Sequence, residues 1–373
     1  MSTVFLYGTL RDETLLRTVI GREVELRAAS LADHATFWAA GQTYPMLQSC
    51  DGQTAPGIIT DTLSAAEIDR LIYYEGPYAY DLTPITVMSE GAQVETQIFL
   101  PPTGQITAGA HFDLADWQAR FGPVMRQAAV EIMHAFGTQS ATEIAAKLPV
   151  ILTRAQACVN AANWAVKPEL SEGFHRDEVT VLDHRRPYSH FFAMDEIDVT
   201  YPQFSGPRSG VVERAVMVSA DAVTVLPYDP VQDAVVLIEQ FRSGPYLRGD
   251  AYPWMLEAIA GRLDPFETPE QTARREAIEE AGLQLGALKR VGRYYASPGA
   301  KTEYLISFIG LCDLSGYTGG VGGLDSEAED IRTFKVPFAD LEDALTRGEI
   351  ANAPLLVSSL WLQQMRPQFQ AEG

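Results

Sequence analysis

Apolar positions along this chain change their period several times, and each change marks an expected element. Residues 3–10, TVFLYGTL, form a short β-rich run interrupted by Gly8. From 31 to 110 the pattern is one of short strands, as at 57–62 and 94–100. The pairs Asp51-Gly52, Glu90-Gly91 and Pro101-Pro102 are expected to turn the chain between such strands. A helix is expected over 64–74, because Ser64 can cap it and Glu67 stands three residues on, a capping-box pattern. Together these predict a β-rich first domain over 1–112. Between 113 and 164 the sequence is alanine-rich and helix-like, broken near Gly122-Pro123 and Gly137. It reads as a helical connector over 113–170.

Strand texture returns in the second half, at 178–182, 189–199 and 213–225. The run 234–241, AVVLIEQF, follows a turn at Asp229-Pro230 and reads as a strong buried strand. Another short strand is expected at 254–260, a helix at 269–281, and strands at 290–295 and 304–311. Helical periods close the chain at 338–347 and 353–365. A second domain over 178–369 follows, with no internal repeat between the halves.

Composition narrows the function classes. With 28 Lys+Arg against 49 Asp+Glu the formal charge is -21, so most of the surface repels nucleic-acid phosphates. An anionic small substrate would need arginines or a metal ion to reverse the field in one cleft. The three cysteines are far apart and form no CxxC, which argues against a disulfide framework or structural zinc. Without a secretory pattern or a membrane-length apolar run, the expectation is a soluble cytoplasmic protein.

The strongest chemical signal lies in residues 261–283, GRLDPFETPEQTARREAIEEAGL. Thr268 can cap a helix, Pro269 suits its first turn, Gln271 completes a capping box and Gly282 can end it. Glu276, Glu279 and Glu280 then fall at i, i+3 and i+4, on one face. Like charges at that spacing repel by a few tenths of a kcal/mol, roughly, per exposed pair. Arg275, one turn before Glu279, can offset part of this, and a divalent cation would offset the rest. Carboxylate oxygens suit a hard ion, Mg²⁺ or Mn²⁺. The plainer alternative is a solvated acidic helix face.

This stretch resembles the Nudix box: Gly261, Glu267, Arg275-Glu276, Glu279-Glu280, Gly282 and an apolar Leu283, with Ala277 standing where a larger aliphatic is common. The resemblance implies Mg²⁺-dependent hydrolysis of a nucleoside diphosphate linked to another moiety, with Mn²⁺ able to substitute, on an α/β/α sandwich. LIEQFR (237–242), PWMLEAIAG (253–261), YYASPGAKTE (294–303) and GGLDSEAEDIRTFKVP (322–337) are similar to the bacterial ADP-ribose pyrophosphatases, which yield AMP and ribose 5-phosphate. That likeness implies Glu276, Glu280, Glu329 and the backbone carbonyl of Ala260 as metal ligands, with Glu279 beside them. It implies Glu327 as the base that deprotonates the attacking water, Arg214 and Arg242 as contacts to ADP-ribose, Glu303 near the terminal ribose, and Pro298 as the downstream proline of the subfamily. Arginine suits such contacts because its planar fork grips phosphate oxygens. GDP-mannose and other NDP-sugar hydrolases share much of the pattern, and a sensor that binds ADP-ribose without cleaving it is a third reading. A homodimer is a family expectation.

The N-terminal run 4–10, VFLYGTL, resembles the opening of the γ-glutamylcyclotransferase-like fold, supported by Tyr44-Pro45, Gly57 and LIYYEGPYAYDLTPITV (71–87). The resemblance implies Glu75 as general acid/base, and Tyr7, Gly8, Thr9 and Leu10 as a turn whose backbone donors meet the substrate's α-carboxylate. Burial beside Tyr73, Tyr74 and Tyr78 would raise the pKa of Glu75, which suits proton transfer; the alternative is a structural glutamate on a scaffold. The expected architecture is thus a mixed β-barrel-like α+β domain, a helical connector and a C-terminal α/β/α Nudix sandwich. Proteins with this two-domain order are also associated with tellurite resistance, a phenotype without a mechanism.

Overall fold

The structure is a computed structural model that describes residues 2–101, 106–324 and 328–372. It divides into two compact units, Met1–Val166 and Lys167–Gly373.

In the first unit, β1 (Val4–Leu6) leads through a 3-10 turn at Thr9–Arg11 into α1 (Glu13–Ile20). The hairpin β2 (Leu26–Ala39) and β3 (Pro45–Thr60) follows, then α2 (Ala65–Glu75), β4 (Asp81–Ser89), β5 (Ala92–Leu100) and β6 (Ala108–His111). The order β3-β1-β5-β4-β2, closed by the β2–β3 pairing, makes a five-stranded barrel, with β6 added outside β2. Phe5, Ile59 and Ile98 are fully buried in it. Gly57 is needed there: a Cβ would stand 2.4 Å from the Phe5 ring. The turn expected at Glu90-Gly91 forms with positive φ at both residues, the geometry that matches strand twist in a two-residue hairpin. Asp51-Gly52 is instead inside the 16-residue β3. Asp33, at φ 55, bulges from β2 opposite it, and its carboxylate accepts the Gly52 N–H at 3.0 Å. The turn chemistry is spent on a bulge, so one long strand replaces two short ones. The Pro101-Pro102 pair lies partly outside the described residues.

The helix over 64–74 forms as α2 with the Ser64–Glu67 capping box in place. The helical stretch after residue 113 comprises α3 (Leu114–Arg120), α4 (Gly122–His134) and α5 (Ala141–Trp164). These helices belong to the first unit: α4 packs on α1, α2 and α5, and Trp117 of α3 is fully buried and donates to the Thr43 carbonyl at 2.9 Å.

The second unit begins with a three-stranded sheet of β7 (Thr180–Ser189), β8 (Ala193–Thr200) and β9 (Val212–Val218). The run expected over 189–199 therefore contains a hairpin bend, and 213–225 splits into β9 and β10 (Ala222–Asp229). Then come β11 (Ala234–Phe241), α6 (Ser243–Arg248), β12 (Trp254–Glu257), β13 (Ile259–Arg262) and α7 (Pro269–Ala281). They are followed by β14 (Leu288–Tyr295), β15 (Tyr304–Leu311), β16 (Gly320–Gly322), β17 (Ile331–Pro337), α8 (Phe338–Arg347) and α9 (Ala353–Glu372). The eight-stranded mixed sheet runs β14-β15-β10-β11-β17-β16, with β12 on β11 and β13 on β10. The strand expected over 254–260 is thus two, which change neighbour at Ala258. Successive β11 side chains face opposite layers. Val235 and Leu237 pack with Phe338, Leu341, Leu355, Leu362 and Phe369 of α8 and α9. Ala234 and Val236 pack with Leu283 and Leu314 on the other face, where α7 lies over β10 and β13. This is the expected three-layer sandwich. No helix among the described residues is long and apolar enough to cross a membrane.

Candidate active sites

Helix α7 forms as its sequence dictates. Thr268 and Gln271 exchange the capping-box hydrogen bonds, Pro269 opens the first turn, and Gly282 at φ 63 closes it. Thr272, Ala273 and Ala277 are fully buried. The small Ala277 side chain lets the helix sit close on the strands. That closeness brings Glu276 and Glu280, on the same side of the helix, against β13. The Glu276 carboxylate lies over Gly261, where a Cβ would come within 1.7 Å of its Oε1. The Ala260 N–H donates to Glu280 Oε2 at 3.4 Å.

Arg275 ties the box together. Its guanidinium reaches Glu276 Oε1 at 2.7 Å, Glu279 Oε2 at 2.9 Å, Glu267 Oε2 at 3.2 Å and the Arg262 carbonyl at 3.2 Å. Glu267 also accepts from the Thr272 hydroxyl at 2.8 Å. Arg275 thus serves Glu267, Glu276 and Glu279 at once, three acids to one cation. Burial pushes the Glu276 carboxyl up to about 7; Arg275 opposes the rise, while Glu279 and Glu329 add to it. Burial likewise pushes Glu280 up to about 9, helped by Glu276 and Glu329 and opposed by the Ala260 N–H and Arg242.

Gly322 and Gly323 sit against the C-terminal end of α7. Gly323, at φ 102, donates its N–H to the Glu279 carbonyl at 3.2 Å. Gly322 has no room for a side chain, since a Cβ would lie 1.9 Å from the Glu280 carbonyl oxygen. Glu329 accepts the Leu324 N–H at 3.3 Å and raises both Glu276 and Glu280, so all three acids share one field. Glu327 lies outside the described residues. Among the described residues, no three such side chains converge closely enough to hold an ion as they stand. The donor set nonetheless fits a hard divalent cation: it is all oxygen, Glu280 is buried and Glu276 half-buried, and neighbouring acids push both carboxyls up.

Arg242 sits at the end of β11 with its fork on Glu257, at 3.0 and 2.5 Å, and feels Glu280 and Glu329 as well. Glu257 is buried and was not singled out in the sequence; only the pairing of β12 with β11 reveals its partner. Arg214 is on β9, exposed, and donates to the Glu213 carbonyl at 2.9 Å; among the described residues it makes no link to the box. Pro298 is exposed in the loop after β14, and Glu303 is paired with Lys301.

The first unit holds a cavity lined by β1 and the turn after it, the end of α2 and Phe99 of β5. Tyr7, Gly8, Thr9 and Leu10 form one wall, and Glu75 faces it from the end of α2. Gly8 packs against Pro45, where a Cβ would come within 2.9 Å of the ring. Thr9 and Leu10 open a 3-10 turn, so their N–H groups have no intrahelical acceptor. Glu75 as a residue is half-buried, but its carboxyl is enclosed, and that burial pushes it up to about 8. Its aromatic neighbours are Tyr7, Tyr74, Tyr78 and Tyr80; Tyr80 is held by a 2.8 Å hydrogen bond to the Pro45 carbonyl. Tyr73 is not among them: on a helix it points away from its successor and packs on Phe136. Met125 of α4 completes the lining, a contribution with no signal in the sequence.

Comparison with known proteins finds a family for each unit. Residues 218–357 match the NUDIX domain family, and residues 4–119 match the family described as gamma-glutamyl cyclotransferase, AIG2-like. The chain is 37% identical over 199 residues to the ADP-ribose pyrophosphatase of Escherichia coli K12, which spans 53% of this chain and 94% of that protein. It is 33% identical over 209 residues to the ADP-ribose pyrophosphatase of Haemophilus influenzae, covering 56% and 96%. The GDP-mannose pyrophosphatase of Enterobacter sp. strain 638 is 34% identical over 151 residues, covering 40% and 78%. With nearly the whole length of the first two relatives accounted for and the box helix folded around its acids, the chain belongs to the Nudix family of hydrolases, carrying an AIG2-like domain at its N-terminus.

Proposed function

We propose that the second unit is a nucleoside diphosphate-sugar pyrophosphatase that hydrolyses ADP-ribose to AMP and ribose 5-phosphate. The observation that carries this reading is the complete box on α7, with Glu276 and Glu280 in the field of Glu329, in a chain similar to ADP-ribose pyrophosphatases over most of their length. Glu276, Glu280, Glu329 and the Ala260 carbonyl would hold Mg²⁺, or Mn²⁺ in its place. Such an ion, when bound, neutralises developing oxyanion charge and lowers the pKa of coordinated water. Glu327 takes the proton of the attacking water. Arg242, already oriented by Glu257, meets the diphosphate, and Arg214 and Glu303 serve the outer parts of the substrate. The GDP-mannose pyrophosphatase relative motivates the second candidate substrate. A homodimer would cover the exposed Val181, Leu182 and Tyr188 of β7. Purified full-length protein with Mg²⁺ should release AMP from ADP-ribose faster than GMP from GDP-mannose. Faster release of GMP reassigns the substrate, and binding of ADP-ribose without cleavage makes the protein a sensor.

For the first unit we infer a γ-glutamyl cyclotransferase, on the enclosed Glu75 carboxyl facing the Gly8–Leu10 turn. The substrate's α-amine attacks its own γ-carbonyl, forming 5-oxoproline and releasing the second amine. Glu75 accepts the proton of the attacking amine and returns it to the leaving one. Glu75→Gln should then abolish release of 5-oxoproline from a γ-glutamyl dipeptide while leaving nucleotide hydrolysis intact.

A further inference from the structure

Helix α4 begins beyond residue 119, where the likeness to the AIG2-like family ends, yet it reaches the Glu75 cavity in two ways. Met125 lines the cavity directly. Its neighbour Arg126 turns to Asp12, the residue that follows the Thr9–Arg11 turn. The fork donates from Nε to Asp12 Oδ1 at 2.9 Å and from Nη2 to Oδ2 at 2.5 Å. Gln118 Nε2 adds a bond to Oδ2 at 2.8 Å. The same Asp12 caps α1 through the Leu15 N–H at 2.9 Å, and its own N–H closes the turn on the Thr9 carbonyl at 3.0 Å. Asp12 is 3% exposed, so its charge depends on these partners. Gly122, one turn before Arg126, leaves the guanidinium its space, since a Cβ there would lie 3.3 Å from Nη2.

We propose that Arg126 is a positioning residue for the first unit's cavity: acting through Asp12, it fixes the Gly8–Arg11 turn that forms the wall opposite Glu75. This rests on reading that cavity as the γ-glutamyl site. It makes α4 part of the site, where sequence and family likeness leave it a bystander. A bidentate pair suits the task because it fixes the orientation of the carboxylate as well as its distance.

The test uses the full chain. Arg126→Lys keeps the charge and loses the fork; Arg126→Met removes both. Hydrogen–deuterium exchange is followed on peptides covering 4–16, with 81–100 of the barrel as internal reference. Exchange in 8–12 should speed up by about tenfold or more in both variants, with 81–100 unchanged. With γ-glutamyl-alanine as probe, KM should rise more than kcat falls, a split that general destabilisation would not produce. Wild-type exchange at 8–12 in Arg126→Lys overturns the proposal, and that variant decides alone should Arg126→Met not fold. An active wild type whose KM the lysine variant leaves unchanged overturns it too. Should the wild type release no 5-oxoproline while the turn loosens as expected, the γ-glutamyl reading fails and the positioning of the turn by Arg126 stands.

Discussion

The Glu276 carboxylate occupies the space that a side chain at position 261 would need. A Cβ on Gly261 would lie 1.7 Å from Oε1 and 1.9 Å from the carboxyl carbon. Gly261 has no positive φ, so the requirement is steric and not conformational. Gly261→Ala should therefore fold, because the obstructing atoms end a side chain that can swing away. It should lose about 100-fold in kcat, the upper range for disturbing the support of a metal ligand. Steady-state AMP release alongside a thermal melt checks both halves.

Metal should stabilise the protein through the same acids. At a free Mg²⁺ concentration a hundredfold above its Kd, the second unit should gain about 2.7 kcal/mol. For a unit of this size that is several degrees in Tm, on the order of 5–10 °C. Glu280→Gln should abolish the Mg²⁺-dependent shift. An equal shift in wild type and variant places the ion elsewhere.

Arg242 and Glu257 should behave as a unit. Arg242→Ala leaves the 5% exposed Glu257 without its partner. The expected loss is about 2–3 kcal/mol, short of the full cost of breaking a buried pair because the arginine is partly in solvent. Glu257→Gln leaves the arginine charged but unaimed, so it should raise KM for ADP-ribose more than it lowers kcat. Urea unfolding and initial-rate kinetics separate the two effects.

Glu75 should make stability fall with rising pH. Its folded carboxyl stands at about 8, above its ordinary value of 4.5. Between those values the folded state binds the extra proton, so the slope of unfolding free energy against pH is negative. The stabilisation is full below the ordinary value and is lost as pH rises through about 8, a change on the order of a few kcal/mol. Glu75→Gln should remove this slope. The difference between wild-type and variant melts across pH 5 to 9, roughly, isolates it, because other titrations cancel.

Much of the second unit was legible from the chain alone. The bounds of α7, its capping box and the strand 234–241 match the sequence reading, because propensity, caps and burial agree there. Turns and strand breaks were less legible in both units. Asp51-Gly52 carries turn chemistry that a long strand uses as a bulge, and 254–260 reads as one run although it changes neighbour midway. Both outcomes depend on pairing partners far away in the sequence.

By itself the sequence determined which groups could do chemistry. The i, i+3, i+4 spacing of Glu276, Glu279 and Glu280 puts three acids on one helical face whatever surrounds them, and Glu75 directly follows the capped run expected over 64–74. Only the tertiary structure decided what those groups meet. It set Glu276 over Gly261, Glu280 against Ala260, Arg242 on Glu257, and Arg126 of a distant helix on Asp12. Helical spacing is local geometry and survives in a fragment. A carboxylate's burial and partners come from strands and helices brought together by packing, and no window of the chain contains them.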